Sequence, residues 1–147
     1  MIFLDTNIFL RYLVRSPEPR IAANSTIAHD LFRSISRNEQ TVTTSEVVIH
    51  EVCYVLCSPK QYGIPAKDVA EALISVLQMP GFRFERGEAD TFIEALELLA
   101  LRPKLEFADA VIAVRAHRLG IPLATFDRTL ARLPIVTPWN PESDKQP

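Results

Sequence analysis

The sequence has no uninterrupted apolar run of the roughly 18–20 residues that a membrane-spanning helix requires. Asp5 also ends the opening Met1-Ile2-Phe3-Leu4 too soon for the apolar region of a signal peptide. A cytoplasmic protein is therefore expected. Cysteine is scarce, with only Cys53 and Cys57, placed i and i+4 on what reads as one helix. That usage excludes a disulfide framework and suits a reducing compartment. A basic excess is missing too, because the formal net charge is −2, and such an excess is the usual footprint of a nucleic-acid binder. Committing four carboxylates to a metal site would move the remaining balance from −2 to +2, with arginine much commoner than lysine. This permits a nucleic-acid partner without arguing for one. Repeats and low-complexity linkers are likewise missing.

What is present is a chain of 147 residues, 48% of them hydrophobic, which suits one globular domain with a single core. The domain is expected over residues 1–139. A polar, proline-flanked tail follows over 140–147, to which no structure is assigned.

The opening Ile2-Phe3-Leu4 is a short apolar run stopped by Asp5-Thr6-Asn7, after which Ile8, Phe9, Tyr12 and Leu13 recur at helical spacing. The chain thus begins strand, turn, helix. Residues 16–19 read as a loop and 21–35 as an amphipathic helix, with apolar residues at 27, 31, 32 and 35. Thr41-Val42-Thr43 is a short β-branched segment. Thr43-Thr44-Ser45-Glu46 carries the S/T-x-x-E pattern of a capping box, opening a helix that Ser58-Pro59 closes. Further helices are expected over 66–78, over about 88–101 and over 107–119, the last with Gly120 at its end and Pro122 beyond. Phe82-Arg83-Phe84, Leu123-Ala124-Thr125 and Pro134-Ile135-Val136 read as short strands. Strands alternating with helices predict a parallel sheet covered by helices on both faces. Ligands collect at the carboxyl ends of such strands, where Asp5 and Asp127 would both lie.

Four acids then stand out. Glu51 has Val47, Val48, Tyr54 and Val55 three and four residues away, which places it on a core-facing stripe. Burying an unpaired carboxylate costs several kcal/mol, and a cation is the simplest compensation. Asp109 lies in the first turn of the most apolar helix. Its ordinary explanation is a favourable interaction with the helix dipole, worth roughly 0.3 to 1 kcal/mol. Glu106, three residues earlier, is either an outer carboxylate of the same group or a cap partner. Asp5 has the alternative use of an N-cap, and Asp127 that of a turn residue in Asp127-Arg128-Thr129. Glu46 is left out as the capping-box glutamate, about 140° around the helix from Glu51. Oxygen-only ligands, with no histidine or cysteine convincingly spaced beside them, favour a hard cation such as Mg²⁺ or Mn²⁺. Such a site suits phosphodiester hydrolysis.

Leu4-Asp5-Thr6-Asn7, Val48-Ile49-His50-Glu51-Val52, Phe107-Ala108-Asp109-Ala110 and Thr125-Phe126-Asp127 together resemble the four acidic motifs of the PIN-domain family. The likeness runs from Met1 to about Trp139 and is nearest in character to the VapC-type toxins of bacterial toxin-antitoxin pairs. The resemblance implies a three-layer α/β/α sandwich with a short central parallel sheet and a metal-dependent endoribonuclease activity on RNA of the tRNA or rRNA class. It also implies a homodimer or higher assembly and a cognate antitoxin that blocks the acidic cleft. Asp5, Glu51, Asp109 and Asp127 would hold the metal, Asp5 and Asp109 directly and Glu51 and Asp127 directly or through water. Asn7 and Thr125 match polar residues beside the site. Glu106 departs from the pattern, since many relatives have Asp there.

Weaker signals remain. His50, Cys53 and Cys57 form a stripe without the fourth ligand that a closed zinc site needs, and buried cysteines pack as small apolar residues. Arg11, Arg15, Arg115, Arg118 and Arg128 are candidates for RNA phosphates, or simply a solvated face. Rival readings are a PIN-like binding module without nuclease activity and a receiver-like phosphoacceptor domain. The latter wants a phosphoacceptor Asp after a central strand and a lysine after a late one. Phe82-Arg83-Phe84-Glu85 and Leu123-Ala124-Thr125-Phe126 supply neither.

Overall fold

The computed structural model describes residues 1–15 and 18–142. Residues 16 and 17 of the expected first loop, and 143–147 of the expected tail, lie outside them. The elements in order are β1 (Ile2–Phe3), α1 (Thr6–Leu13), α2 (Pro19–Ser36), β2 (Val42–Thr43), α3 (Glu46–Cys57), α4 (Ala66–Leu77), α5 (Glu88–Leu101), α6 (Phe107–Leu119) and α7 (Arg128–Ala131). The architecture is α/β, mostly helical, with a short parallel sheet in which Ile2 lies opposite Val42 and Phe3 opposite Thr43. No helix among the described residues is long and apolar enough to cross a membrane.

Local sequence explains most of the boundaries. Pro19, expected in the loop, instead starts α2, because its fixed φ suits the first helical position and its missing N–H is not needed there. Ser45 caps α3, its hydroxyl accepting from the Val48 amide at 3.4 Å. The capping box expected at Thr43 and Glu46 is therefore corrected: the cap lies two residues later, and Glu46 is left free to bond elsewhere. Gly120 closes α6 in the left-handed region at φ 66°, which lets the Gly120 and Ile121 amides turn back onto His117 and Ala116.

The expected strands beyond β2 shrink to isolated bridges. Val42 donates to Gly81 and accepts from Arg83, so only Phe82 pairs with β2. Gly81 is required there, since a Cβ would stand 2.3 Å from the Gln40 carbonyl oxygen and 2.8 Å from that of Ile35. Around Leu123 both backbone bonds run to the following segment, from its amide to Thr137 and from the Trp139 amide to its carbonyl. The 123–125 strand is thus replaced by a single Leu123–Pro138 bridge. Residues 134–136 turn instead of extending, with the Val136 amide bonded back to Leu133. As a result β1 pairs on one side among the described residues, leaving Ile2 and Phe3 exposed.

Helices pack in a chain of neighbours: α1 on α2 and α3, α3 on α4 and α6, α4 on α5, and α5 on α6. A line of aromatic contacts threads the core. Tyr12 stacks on Phe32, Phe32 meets Phe9 edge-on, and Phe9 leads through Phe82, Phe84 and Phe92 to Phe107. Phe9 and Phe107 are almost wholly buried. This line of packing connects α1, which follows Asp5, with the start of α6, which carries Asp109.

Candidate acidic metal site

The parallel pairing of β1 and β2 brings the starts of α1 and α3 side by side at the carboxyl ends of the strands. The Thr44 hydroxyl, buried, donates to the Leu4 carbonyl at 3.0 Å and ties the two strand ends together. Asp5 follows at once. It is exposed, and its Oδ1 accepts the Thr6 amide at 2.8 Å as the N-cap of α1. Asp127 does the same for α7, a short helix that the sequence reading left as a turn. Its Oδ1 accepts from the Thr129 amide at 2.8 Å and the Leu130 amide at 3.1 Å. The Thr125 hydroxyl accepts the Asp127 amide at 3.0 Å and so fixes the turn into the cap. In both aspartates one oxygen serves the helix, while Oδ2 has no protein partner among the described residues. The ordinary explanation for these acids and the metal-binding one are therefore compatible.

Asp109 is half-buried in the first turn of α6. Burial raises its pKa above the usual carboxylate value, and the charges of Glu106 and Asp127 raise it further, against an opposing contribution from His50. An acid crowded by acids is destabilised in its charged form, and a cation relieves that. Glu106, the N-cap residue of α6, makes no side-chain cap bond. The His50 ring supplies what Glu106 does not: its Nδ1 accepts the Ala108 amide at 3.2 Å, which anchors α3 to the first turn of α6. The stripe of His50, Cys53 and Cys57 is thus divided between a cap and the core, Cys53 being buried.

Glu51 requires a correction. It is exposed, not buried. The inward stripe of α3 is Val48, Ile49, Val52, Cys53 and Leu56, whereas Val47 and Tyr54 lie on the outer face with Glu51, 73% and 61% exposed. Two apolar residues facing out were read as core, so the argument from burial cost fails for this acid. Glu51 instead stands open, without a hydrogen bond or ion pair among the described residues. Asn7 is exposed in the first turn of α1.

Asp109, Glu106 and Asp127 are thus brought within electrostatic reach of one another, and Asp5 is at the strand end as expected. Among the described residues no three acid, histidine or cysteine side chains stand close enough together to hold one metal ion. The donor chemistry nonetheless fits a hard divalent cation. All the candidate donors are carboxylate oxygens, Asp109 is crowded by like charge, and the buried Thr6 hydroxyl next to Asp5 has no hydrogen-bond partner.

Two of the arginines considered for RNA are already engaged. Arg115 on α6 bonds Glu46 of α3 at 2.9 Å and Glu88 of α5 at 3.0 Å. Arg118 holds Glu94 at 2.6 Å, which lowers the Glu94 pKa. The reach of Arg115 across three helices and the capping role of His50 were missed by the sequence reading. These contacts join residues 27, 58 and 69 positions apart, and no local pattern marks them.

A protein-family model for the PIN domain matches residues 2–136. Among curated proteins none matches the chain.

Proposed function

The chain belongs to the PIN-domain family, and from that premise we propose that it is a metal-dependent endoribonuclease, the VapC-type toxin of a toxin-antitoxin pair. PIN domains are generally metal-dependent nucleases, so nucleic acid is the substrate class and hydrolysis the reaction class. A receiver-like phosphoacceptor domain is set aside by the family match over the same residues. The proposal narrows the substrate to RNA of the tRNA or rRNA class and the cofactor to Mg²⁺ or Mn²⁺. It adds a homodimer or higher assembly, a cognate antitoxin over the acidic cleft, and a cytoplasmic setting. Residues 1–139 are the catalytic unit and 140–147 an appended tail.

The observation that carries this reading is Asp109 at the start of α6, half-buried and beside the charges of Glu106 and Asp127, so that burial first and those charges next disfavour its ionised form. Asp5 and Asp109 would be direct ligands, with Glu51 and Asp127 binding directly or through water. Asn7, Glu106 and Thr125 flank them, Thr125 by holding the Asp127 turn. When bound, a hard divalent cation polarises a phosphoryl oxygen and lowers the pKa of water at the site. The chain's own contribution would be to present Asp5, Asp109 and Asp127 from the starts of α1, α6 and α7, with Glu51 on the exposed face of α3.

The test is cleavage of a mixed tRNA and rRNA pool with Mg²⁺ or Mn²⁺ against EDTA, alongside Asp5→Asn. Asparagine keeps an oxygen acceptor for the Thr6 amide, so the variant retains its cap and loses the charge. Metal-dependent cuts that vanish in the folded variant are the expected result. The absence of cuts with either metal, after any copurifying inhibitor is stripped, would replace the proposal with a PIN domain that only binds. That second reading is favoured by the lack of three closely grouped ligands among the described residues.

A further inference from the structure

Between α3 and the segment leading into α6 lies a cavity of about 270 Å³ whose walls include His50, Tyr54, Cys57, Lys104, Leu105 and Glu106. It adjoins the acids from two sides. Tyr54 is three residues beyond Glu51, on the same outer face of α3, and Glu106 is three residues before Asp109. His50 and Glu106 both act electrostatically on Asp109. We infer that this cavity seats one unstacked nucleobase of single-stranded RNA next to the cleaved phosphate, with Tyr54 as the stacking wall and Lys104 on the adjoining backbone phosphate. The inference rests on the proposed action on RNA and deepens it.

The wall chemistry favours a base over other occupants. Tyr54 keeps 61% of its surface open, which is a large exposed area for an aromatic ring. Successive bases of single strands bind to such rings because every base presents a π-face. Cys57 and Leu105 make the slot apolar. Its rim is mixed, however. The Nδ1 of His50 accepts the Ala108 amide, which leaves Nε2 as the ring's donor. The Glu106 carboxylate has no side-chain cap bond and can accept. A base edge carries both donors and acceptors and can use both groups, whereas an aliphatic or aromatic side chain from a protein partner uses neither. Lys104 makes no ion pair among the described residues and supplies a cation at the rim, the charge that a phosphate wants.

The test uses a fluorescently end-labelled single-stranded RNA octamer with EDTA present to prevent cleavage. Binding is compared for the natural protein, Tyr54→Ala and Tyr54→Phe, and for the same octamer carrying an abasic site at each position in turn. Loss of one stacked base should weaken binding about 5- to 150-fold in Tyr54→Ala, with Tyr54→Phe close to the natural protein. One abasic position should reproduce the loss and have no further effect in Tyr54→Ala. Tyr54 lies on the surface, so neither substitution disturbs the core. Equal binding by Tyr54→Ala, or a loss that no abasic position reproduces, overturns the inference. So does a Tyr54→Ala variant that binds RNA normally but no longer retains a copurifying protein, which would make the slot a protein-docking site. Cleavage by the same proteins with Mg²⁺ separates the two ideas. Coupled binding without any cleavage defeats the nuclease and leaves the seat standing. Cleavage with an unchanged KM in Tyr54→Ala does the reverse.

Discussion

His50 offers the clearest quantitative test of how the candidate site is held. The N-terminus of a helix presents backbone N–H groups without intrahelical partners, and in α6 the cap residue Glu106 satisfies none with its side chain. The His50 Nδ1 takes the Ala108 amide at 3.2 Å. Replacing His50 by alanine removes that acceptor. Loss of a side-chain cap costs about 0.5–2 kcal/mol. For a domain of this size, each kcal/mol corresponds to a fall in Tm of roughly 2–4 °C. We therefore expect Tm to fall by about 1–8 °C in His50→Ala, with the urea midpoint lowered and the m-value unchanged. His50→Asn separates the bond from the packing, because an asparagine Oδ1 occupies nearly the same place as the ring Nδ1 and can accept the same amide. It should recover at least half of the loss. If Ala and Asn lower the urea midpoint equally, the bond contributes nothing and the anchoring role is refuted.

Asp109 and the cysteines give two further expectations. Since the native pKa of Asp109 is raised, the folded state holds the proton more tightly than the unfolded chain. The associated stability is present below the unfolded value, about 3.9, and is lost as pH rises through the native one. In EDTA at pH 7, Asp109→Asn should therefore melt higher than the natural protein, and the gap should close as pH falls toward 4. Added Mg²⁺ or Mn²⁺ should raise the Tm of the natural protein and leave the variant unmoved; a variant that melts lower in EDTA contradicts the crowding. Burial raises the pKa of both thiols, most strongly at Cys53. Ellman's reagent at mildly alkaline pH should accordingly titrate one thiol slowly in the native protein, that of the half-buried Cys57, and both in urea. Two rapid equivalents in the native state would show that α3 opens readily.

Helices were legible from the sequence because their signals are local. The 107–119 and 88–101 spans were read from periodicity together with Gly120 and Pro122, and α6 and α5 occupy those residues. Strands were less legible, since strand pairing is decided by distant partners. Leu123 has a β-prone pattern, but its hydrogen bonds go to Thr137 and Trp139, which nothing local could indicate. Among the acids, Asp5 and Asp127 were placed at chain turns correctly, and the structure makes both of them N-caps. Glu51 was misplaced because Val47 and Tyr54 count as apolar in a helical pattern even though they face out. Side-chain contacts across helices, such as Arg115 with Glu46 and Glu88, depend on packing angles and leave no mark in the order of residues.

The single-oxygen caps of Asp5 and Asp127 have a consequence for ion binding. A flexible surface carboxylate gives up its rotamer freedom when a cation captures it, at a cost of about 0.5–1.5 kcal/mol for an immobilised side chain. Here the amides of Thr6, Thr129 and Leu130 orient each carboxylate while the chain folds. The ordering is complete before any ion arrives, and the second oxygen is presented in a fixed direction. Two helix starts would thereby act as rigid mounts for the proposed ion, and its affinity would depend on how firmly α1 and α7 stay wound.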